Sequence, residues 1–302
     1  MIEIHGPTYK YAGEVLDKPE IIVVRDHHYN EVDHCFHVKN LLENSTCDPY
    51  LHTLLFDHVL IHDDVLKDYN IILYPTFIAR EEREFNQQLI EVDWNKRQCT
   101  FNFMINKPRK HREMLLQLIK RFNLINYTHS LPWKHNDVNS IPVTDYKFGP
   151  EVVMDKGIRN GSFKNAETYD KLLKTTVFEP SCISLITEPV FFERESILTE
   201  KTIMSVYSGT LPIWVGGWRC ADALRSFGFD VFDDIVDHSY QDLDDPFDRC
   251  YHAIERNLNL LRDFDLVHKF IQNNKSRFQH NFKLLKNNVF QKTVDQVKID
   301  GI

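Results

Sequence analysis

The sequence predicts an α/β fold in which parallel strands alternate with helices that cover both faces of a sheet. Short apolar runs alternate along the chain with segments whose apolar residues recur at helical spacing. The clearest unit lies at residues 181–217, where an apolar run, a polar loop, a helical segment and a second apolar run ending in Gly216 and Gly217 follow one another. Ligands bind outside the carboxyl ends of parallel strands, so this unit also marks where a site is expected.

Residues 1–98 are predicted to form a small α/β domain. Its strands are expected in apolar runs separated by polar, His-rich connections, and its helix where apolar residues share one face. The predicted strands cover residues 21–24, 54–61 and 70–74, and the predicted helix covers residues 81–92.

Residues 99–302 show the clearer alternation and are predicted to form a second, larger domain that ends in helices. Pro108 is placed to begin its first helix. Trp214 is expected to pack in its core, with stacking on a base or sugar as the alternative. Residues 126–160, rich in Asn, Pro, Gly and Asp, are expected to form a long loop or insertion. The other predicted elements are strands at 99–105, 181–186, 211–215 and 229–232, and helices at 108–122, 200–208, 221–227, from Asp245-Pro246 onward and at 266–289.

The predicted helix at residues 200–208 begins with the residue types of an anion-binding entrance. Thr199 is suited to the N-cap position, and Gly209 is placed to end the helix. A helix N-terminus at the carboxyl end of a parallel strand offers N–H groups to phosphate, and Lys201 adds a full charge. Glu200 is able to accept hydrogen bonds from ribose or sugar hydroxyls. The segment alone leaves open the alternative that Thr199 and Glu200 only cap a helix while Lys201 is solvated.

Composition and charge exclude several classes of protein. The 302 residues are 42% hydrophobic and 26% charged, which is ordinary for a globular protein, and the net charge of −8 argues against broad nucleic-acid binding. Six scattered cysteines show neither a zinc spacing nor a disulfide framework. Because the sequence shows no leader pattern and no membrane-spanning apolar run, we expect a cytoplasmic protein with reduced thiols.

Three blocks of the second half, in order, resemble the α1,3-fucosyltransferase family. They are FNFMINKPRKHREMLLQLI from residue 101, SLITEPVFFERESILTEK from residue 184 and SGTLPIWVGG from residue 208. The first block places Arg112 on the position that grips the donor pyrophosphate. The second matches Glu188 and places Glu200 and Lys201 on donor-binding positions. The chain departs from the family at Pro189, where the family has an Asn that contacts the donor, so the resemblance leaves the donor sugar open.

The resemblance implies a GT-B fold, in which two Rossmann-like domains face each other across a cleft, with the acceptor on the side of the small N-terminal domain. The implied activity is transfer of a sugar, with inversion, from a nucleoside-diphosphate sugar to a glycan or other hydroxyl acceptor. Arg112 and Lys201 would neutralise the leaving diphosphate, so neither a metal nor another cofactor is expected. Thr199 belongs to the same donor-binding motif, and Arg194 in the loop before it is a further candidate to reach a phosphate.

The catalytic base of the resembled family is a Glu of the N-terminal domain, and no motif identifies its counterpart in this chain. The candidates for a base or an acceptor contact are Asp26, Glu31, Glu81 and Glu82.

Two other function classes remain open on the sequence. Histidines crowd the first part of the chain, including HDD at residues 62–64, and His34 and His37 share one helical face. With nearby carboxylates they have the chemistry of a metal centre, as in a metal-dependent phosphoesterase. The other alternative is a non-catalytic nucleotide-sugar-binding protein, which Pro189 and the small N-terminal domain favour.

Overall fold

The computed structural model describes residues 2–5, 20–25, 52–56, 60–61, 70–73, 75–86, 93–104, 110–124, 128–131, 178–188 and 195–299. Its strands are β1 (Ile2–His5), β2 (Glu20–Arg25), β3 (His52–Phe56), β4 (Leu60–Ile61), β5 (Asn70–Leu73), β6 (Cys99–Met104), β7 (Thr128–Leu131), β8 (Ser181–Ile186), β9 (Glu195–Ser196) and β10 (Leu211–Trp214). Its helices are α1 (Thr76–Asn86), α2 (Lys110–Arg121), α3 (Glu200–Tyr207), α4 (Cys220–Ser226), α5 (Pro246–Glu255), α6 (Leu258–Arg262), α7 (Phe264–Asn273), α8 (Lys275–Lys286) and α9 (Val289–Ile299).

The first half of the chain contributes a parallel sheet with the strand order β1-β2-β3-β5. The predicted strands at residues 21–24 and 70–74 are confirmed as β2 and β5. The predicted strand at residues 54–61 is wrong as a single element, because it comprises β3 and β4. Strand β3 stays in this sheet, whereas β4 pairs antiparallel with β9 of the second half. The polar Asp57 and His58 interrupt the apolar run between the two strands.

The second half contributes a parallel sheet with the order β10-β8-β6-β7. The chain runs from β6 to β7 on one side of β6 and then returns to β8 and β10 on the other side. The topological switch point therefore lies between β6 and β8, and the carboxyl ends of these two strands are where such a sheet binds ligands.

Helices cover both faces of the second sheet, as predicted. Neighbouring residues of β10 enter different cores, because Ile213 packs in the cluster that contains α2 and α5, and Trp214 packs in the cluster that contains α1, α3 and α9. Trp214 is fully buried, which confirms its expected core position. The α/β class is thus confirmed as parallel open sheets with many helices. No helix among the described residues is long and apolar enough to cross a membrane.

Most predicted helices have the predicted position, with ends that differ by a few residues. The helix expected at 200–208 is α3, the helix expected at 221–227 is α4, and Asp245 caps α5 with Pro246 in its first turn. The helix expected at 81–92 is α1, which begins earlier, at Thr76, and buries Ile78 and Ala79. Residues 87–92 lie outside the described part of the chain.

The strand predicted at residues 229–232 is wrong, because this segment has no regular secondary structure. Phe232 has φ of 65°, which a strand does not allow. The Asn281 side chain on α8 instead accepts from the Asp230 N–H at 2.8 Å and donates to the Asp230 carbonyl at 2.6 Å. Phe229 and Val231 are buried. The apolar run therefore marks core residues that flank Asp230, whose backbone groups pair with a side chain of α8 instead of a neighbouring strand.

The C-terminal part of the chain packs back on α1. The helix predicted at residues 266–289 is divided among α7, α8 and the start of α9. Phe290 and Val294 of α9 share a core with Ile78 and Phe85 of α1. Although α1 precedes residue 98, it also packs on α3 in this core, and the predicted boundary at 98 stays a prediction.

Candidate functional site

A cluster of predicted site residues lies at the switch point, where β8 ends. Thr187 and Glu188 follow the last strand residue, Ile186, and all three are buried. The first turn of α2 contacts them. Arg112 donates through Nη2 to the Thr187 carbonyl at 3.3 Å, and His111 Nε2 lies 2.9 Å from the Glu188 carbonyl. The first turn of α2 and the two residues that follow β8 therefore meet where parallel sheets bind ligands.

The N-terminus of α3 is tied to the end of β8 through Glu188. Thr199 caps the helix, as predicted, since its hydroxyl accepts from the Lys201 N–H at 3.4 Å. Oε1 of Glu188 accepts from the Thr199 N–H at 3.0 Å and from the Thr202 hydroxyl at 2.7 Å. Oε2 of Glu188 accepts from the Thr199 hydroxyl. One carboxylate thus fixes the helix entrance against the strand end.

Lys201 lies between two carboxylates at this entrance. Its Nζ is 3.0 Å from Oε1 of Glu200 and 3.7 Å from Oε2 of Glu188, and it donates to Oγ1 of Thr199 at 3.1 Å. The Glu188 side chain is 2% exposed and that of Lys201 is 16% exposed, so water and salt screen this pair weakly. The cluster therefore holds one ammonium group against two carboxylates in a largely dry setting.

Burial and the Lys201 charge move the pKa values of the two glutamates in opposite directions. Burial raises the pKa of Glu188, and Lys201 offsets only part of this effect. Burial also acts to raise the pKa of Glu200, but the charge and hydrogen bond of Lys201, together with hydrogen bonds from its own N–H and from Thr199, outweigh it, so the pKa of Glu200 lies below its ordinary value. Glu200 is thus the ionised partner of Lys201, and Glu188 is the carboxylate with the higher proton affinity.

Trp214 supports the cluster from the neighbouring strand. Its indole Nε1 donates to Oγ1 of Thr202 at 3.0 Å, and its carbonyl accepts from the Tyr240 hydroxyl at 2.9 Å. The ring is fully buried, so it does not serve as a stacking platform for a base or a sugar. Hydrogen bonds from Trp214 to Thr202 and from Thr202 to Glu188 instead connect β10, through α3, to the end of β8.

Arg97 fixes the other end of α3. Its guanidinium donates through Nη2 to the carbonyls of Ser208, at 2.5 Å, and Gly209, at 3.0 Å. Through Nη1 it donates to three carbonyls of the turn that leads into β8, those of Phe178, Glu179 and Ser181. Burial lowers the pKa of Arg97 to about 10, which still leaves it charged at neutral pH. A cation at the negative end of a helix dipole is favourable.

The structure brings together most of the predicted donor-binding residues and leaves one undescribed. Arg112, Glu188, Thr199, Glu200 and Lys201 all lie around the end of β8 and the start of α3. Arg194 lies outside the described residues. The carboxylate of Glu188 is engaged by Thr199 and Thr202, so its position favours holding the helix over contacting a sugar.

Two of the candidate bases lie on α1, and the other two, Asp26 and Glu31, lie outside the described residues. Glu81 pairs with Arg80 at 2.8 Å. Glu82 is fully buried and accepts from the N–H groups of Phe290, at 3.4 Å, and Gln291, at 3.0 Å. Glu82 is thus an N-terminal cap for α9, a structural role that accounts for its burial.

The His-rich segments, including His34, His37 and residues 62–64, lie outside the described residues. Within the part of the chain that the structure describes, no group of three or more His, Cys, Asp or Glu side chains is arranged to hold a metal ion. Cys99, Cys182, Cys220 and Cys250 are buried free thiols, as expected.

Three residues of the arrangement were not predicted from the sequence. Thr202 follows the N-cap Thr199 by one helical turn, a spacing that places both hydroxyls on one face and so offered a signal. His111 directly precedes Arg112, but its contact with a main-chain carbonyl has no sequence pattern. Arg97 had no local signal, because its acceptors Phe178 and Ser208 are far along the chain.

Comparison of this chain with family models, with curated proteins and with solved structures found no match. The resemblance to the α1,3-fucosyltransferases therefore rests on the three sequence blocks. The case for a function rests on those blocks together with the geometry at the switch point.

Proposed function

We propose that this protein is a fucosyltransferase-like glycosyltransferase that moves a sugar from a nucleoside-diphosphate sugar to a glycan or other hydroxyl acceptor, with inversion and without a metal. The observation that carries the proposal is that Arg112 and Lys201 reach consecutive residues, Thr187 and Glu188, at the carboxyl end of β8. A guanidinium, an ammonium and a helix N-terminus at a switch point form a suitable binding site for a diphosphate.

The donor diphosphate is proposed to lie between Arg112 and the N-terminus of α3. The guanidinium of Arg112 has the planar geometry that suits a diphosphate, and its Nη2 also donates to the Thr187 carbonyl at 3.3 Å. Lys201 brings a point charge on a flexible stem. Glu200, 20% exposed in its side chain, accepts hydrogen bonds from a ribose or sugar hydroxyl. As the bond to the sugar breaks, negative charge grows on the leaving diphosphate, and these two cations stabilise that charge.

The proposed arrangement of domains is GT-B, with residues 1–98 on the acceptor side. Each half of the chain has its own parallel sheet, which supports two Rossmann-like units. Strand β4 of the first half pairs with β9, which lies just before Thr199 in the chain. This pairing supports an acceptor domain that lies beside the donor-binding segment beginning at Thr199. A carboxylate of that domain is proposed to take the proton of the acceptor hydroxyl.

The first prediction concerns binding of the donor. Calorimetry with nucleoside diphosphates is expected to show binding in the micromolar range, about −8 kcal/mol at about 1 μM. Arg112→Ala and Lys201→Ala are each expected to weaken binding by about 1.5–3 kcal/mol, because each removes a charged hydrogen-bond donor. Matched controls are Arg121→Ala at the far end of α2 and Lys269→Ala on α7, both at exposed positions. Unchanged affinity in both site variants would reject this placement of the diphosphate.

The second prediction concerns turnover and its dependence on metal. A screen of nucleotide-sugars, read as released nucleoside diphosphate, is expected to find a donor whose hydrolysis persists in EDTA and falls in Lys201→Ala, because cations of the protein neutralise the leaving group. Hydrolysis that disappears in EDTA and survives Lys201→Ala would favour the metal-dependent phosphoesterase. Binding without turnover of any donor, with acceptor sugars present, would favour the non-catalytic nucleotide-sugar-binding protein.

A further inference from the structure

The carboxylate of Glu188 shares its partners with the proposed diphosphate. Its Oε2 accepts from the Thr199 hydroxyl and lies 3.7 Å from Nζ of Lys201. The same Nζ also donates to Oγ1 of Thr199 at 3.1 Å. A diphosphate that engages Lys201 therefore competes with Oε1 of Glu200, at 3.0 Å, as well as with Oγ1 of Thr199 and Oε2 of Glu188. Of the two carboxylates, the buried Glu188 is the one that water does not solvate when the ammonium leaves.

The surroundings of Glu188 offer little replacement for a lost cation. The side chain is 2% exposed, so water does not solvate a charge there. Two charged groups face it from α3, Lys201 and the negative Glu200. From α2, His111 contacts its main-chain carbonyl, and Arg112 contacts the carbonyl of Thr187. Arg112 is itself a proposed diphosphate ligand, so the bound anion draws both neighbouring cations.

We propose that Glu188 takes up a proton from solvent when the diphosphate of a nucleotide-sugar binds and Lys201 transfers from Glu188 to the diphosphate. This inference rests on the proposed function of the site. No covalent bond forms or breaks, and the proton balances the negative charge that the buried Glu188 carboxylate would otherwise carry without its ammonium partner.

Hydrogen bonding at the site accommodates the proton. When Nζ of Lys201 leaves, Oγ1 of Thr199 loses a donor and accepts instead from the protonated Oε2 of Glu188. The Thr199 hydroxyl proton, which points to Oε2 in the free protein, is then released to donate to the diphosphate. Oε1 of Glu188 keeps its bonds from the Thr199 N–H and the Thr202 hydroxyl. The helix entrance therefore stays tied to β8 in both states.

The sign of the pH dependence follows from this exchange. Burial already raises the pKa of Glu188 in the free protein, and loss of Lys201 raises it further in the complex. Between these two pKa values the complex holds one proton more than the free protein. The association constant is therefore expected to rise as pH falls, by up to about tenfold per pH unit in that interval.

Calorimetry with UDP-glucose and GDP-fucose tests the inference. The diphosphate in both probes is a doubly esterified anion that does not titrate near neutral pH. Titrations in buffers of different ionisation enthalpy measure the protons taken up on binding, with about one proton expected at the most favourable pH. Glu188→Gln mimics the protonated side chain and is expected to bind without proton uptake. Asp265→Asn, at an exposed position on α7 outside the site, is the control and is expected to keep the uptake.

The outcomes separate this inference from the proposed function. Binding by the wild-type protein without proton uptake overturns the inference and leaves the proposed function standing. Proton uptake that persists in Glu188→Gln also overturns it. Absence of binding by either probe, and by any other nucleotide-sugar of the donor screen, overturns the proposed function and this inference with it. If Glu188→Gln does not fold, as judged by circular dichroism, Lys201→Met is titrated at nucleotide-sugar concentrations high enough for it to bind. Binding without proton uptake is the expected supporting result, and uptake that persists there overturns the inference.

Discussion

Arg97 and Glu82 show how single charged residues are placed in the interior of this protein. Each lies at a helix end where unpaired main-chain groups would otherwise be buried. Arg97 donates to the carbonyls at the C-terminus of α3, and Glu82 accepts from N–H groups at the N-terminus of α9. The sign of each charge matches the helix dipole that it meets. Both side chains are therefore buried because they form hydrogen bonds with main-chain groups at helix ends.

Glu82 is predicted to make stability depend on pH. Burial raises its pKa from 4.5 to about 7, against the opposing effects of the α9 N–H groups and Lys292. The native state then binds this proton more tightly than the unfolded state, so the free energy of unfolding falls as pH rises from about 4.5 to about 7 and levels off above. Glu82→Gln is expected to remove this loss, which is about 3 kcal/mol at most.

The pH dependence attributed to Glu82 is checked by urea unfolding of the wild type and Glu82→Gln, near pH 5 and near pH 8. Each free energy of unfolding is obtained by linear extrapolation. The stability of the variant relative to wild type is expected to increase at the higher pH. Asp265→Asn, at an exposed position on α7, serves as the control. A stability difference that is the same at both values would contradict a titrating role for Glu82.

At the scale of one element, α3 is held at both of its ends and behind its first turn. Glu188 binds its N-terminus, Arg97 binds its C-terminus, and Trp214 donates to Thr202 within it. A helix of eight residues has little stability by itself, so these contacts determine where its entrance lies. The position of the predicted site therefore depends on contacts that Glu188, Arg97 and Trp214 make with α3.

Replacing Gly209, which ends α3, is predicted to lower the stability of the protein strongly. It ends the helix at φ +62°, and a Cβ atom there would lie 2.3 Å from the Trp94 ring. Gly209→Ala is expected to cost roughly 2–4 kcal/mol, from left-handed strain together with the clash. Gly228→Ala is the matched control. It has φ of +85°, but its Cβ would meet only Leu284, at 3.9 Å. The control is expected to cost about 1–2 kcal/mol.

Thermal or urea unfolding of the two glycine variants measures this difference. Equal losses of stability would show that backbone conformation alone accounts for the effect and that the Trp94 ring moves aside. Donor affinity measured on Gly209→Ala at a temperature where it is folded is expected to fall as well, because the clash displaces α3.

At the scale of the whole molecule, the chain returns at its C-terminus to a helix of its first half. Helix α9 places Phe290 against Phe227 and Phe229, with ring centroids 4.6 and 5.6 Å apart. The same core contains Phe85 of α1 and Tyr207 of α3, whose rings stack at 5.1 Å. Helices α1, α3 and α9 therefore pack as parts of one core.

Phe290→Ala is predicted to destabilise α1 and α9 together. Phe290 is fully buried, so its truncation is expected to cost about 3–5 kcal/mol. Hydrogen exchange is expected to accelerate in α1 and α9 together, since both lose a shared packing surface. Phe247→Ala, at a side chain that is 44% exposed, is the control and is expected to change stability by less than about 0.5 kcal/mol. Faster exchange confined to α9 would show that α1 is held independently.

The sequence by itself determined what depends on neighbours along the chain. The strands β6, β8 and β10, the Thr199 cap, the Gly209 terminus and the Asp245-Pro246 start of α5 were all predicted, because periodicity, capping and turn chemistry act within a few residues. The grouping of Thr199, Glu200 and Lys201 at a helix entrance was predicted for the same reason. Arg112 was added by the resemblance of a sequence block.

Only the tertiary structure decided which distant groups meet. Arg97 binds a carbonyl 111 residues away, and Glu82 caps a helix 208 residues away, so no local pattern announces either contact. The same limit applies to Glu188, whose carboxylate accepts from Thr199 and Thr202, and to Asp230, whose backbone bonds to Asn281. Burial, and with it the pKa values at this site, is a property of packing among all these elements. It emerges only when the chain has brought them together.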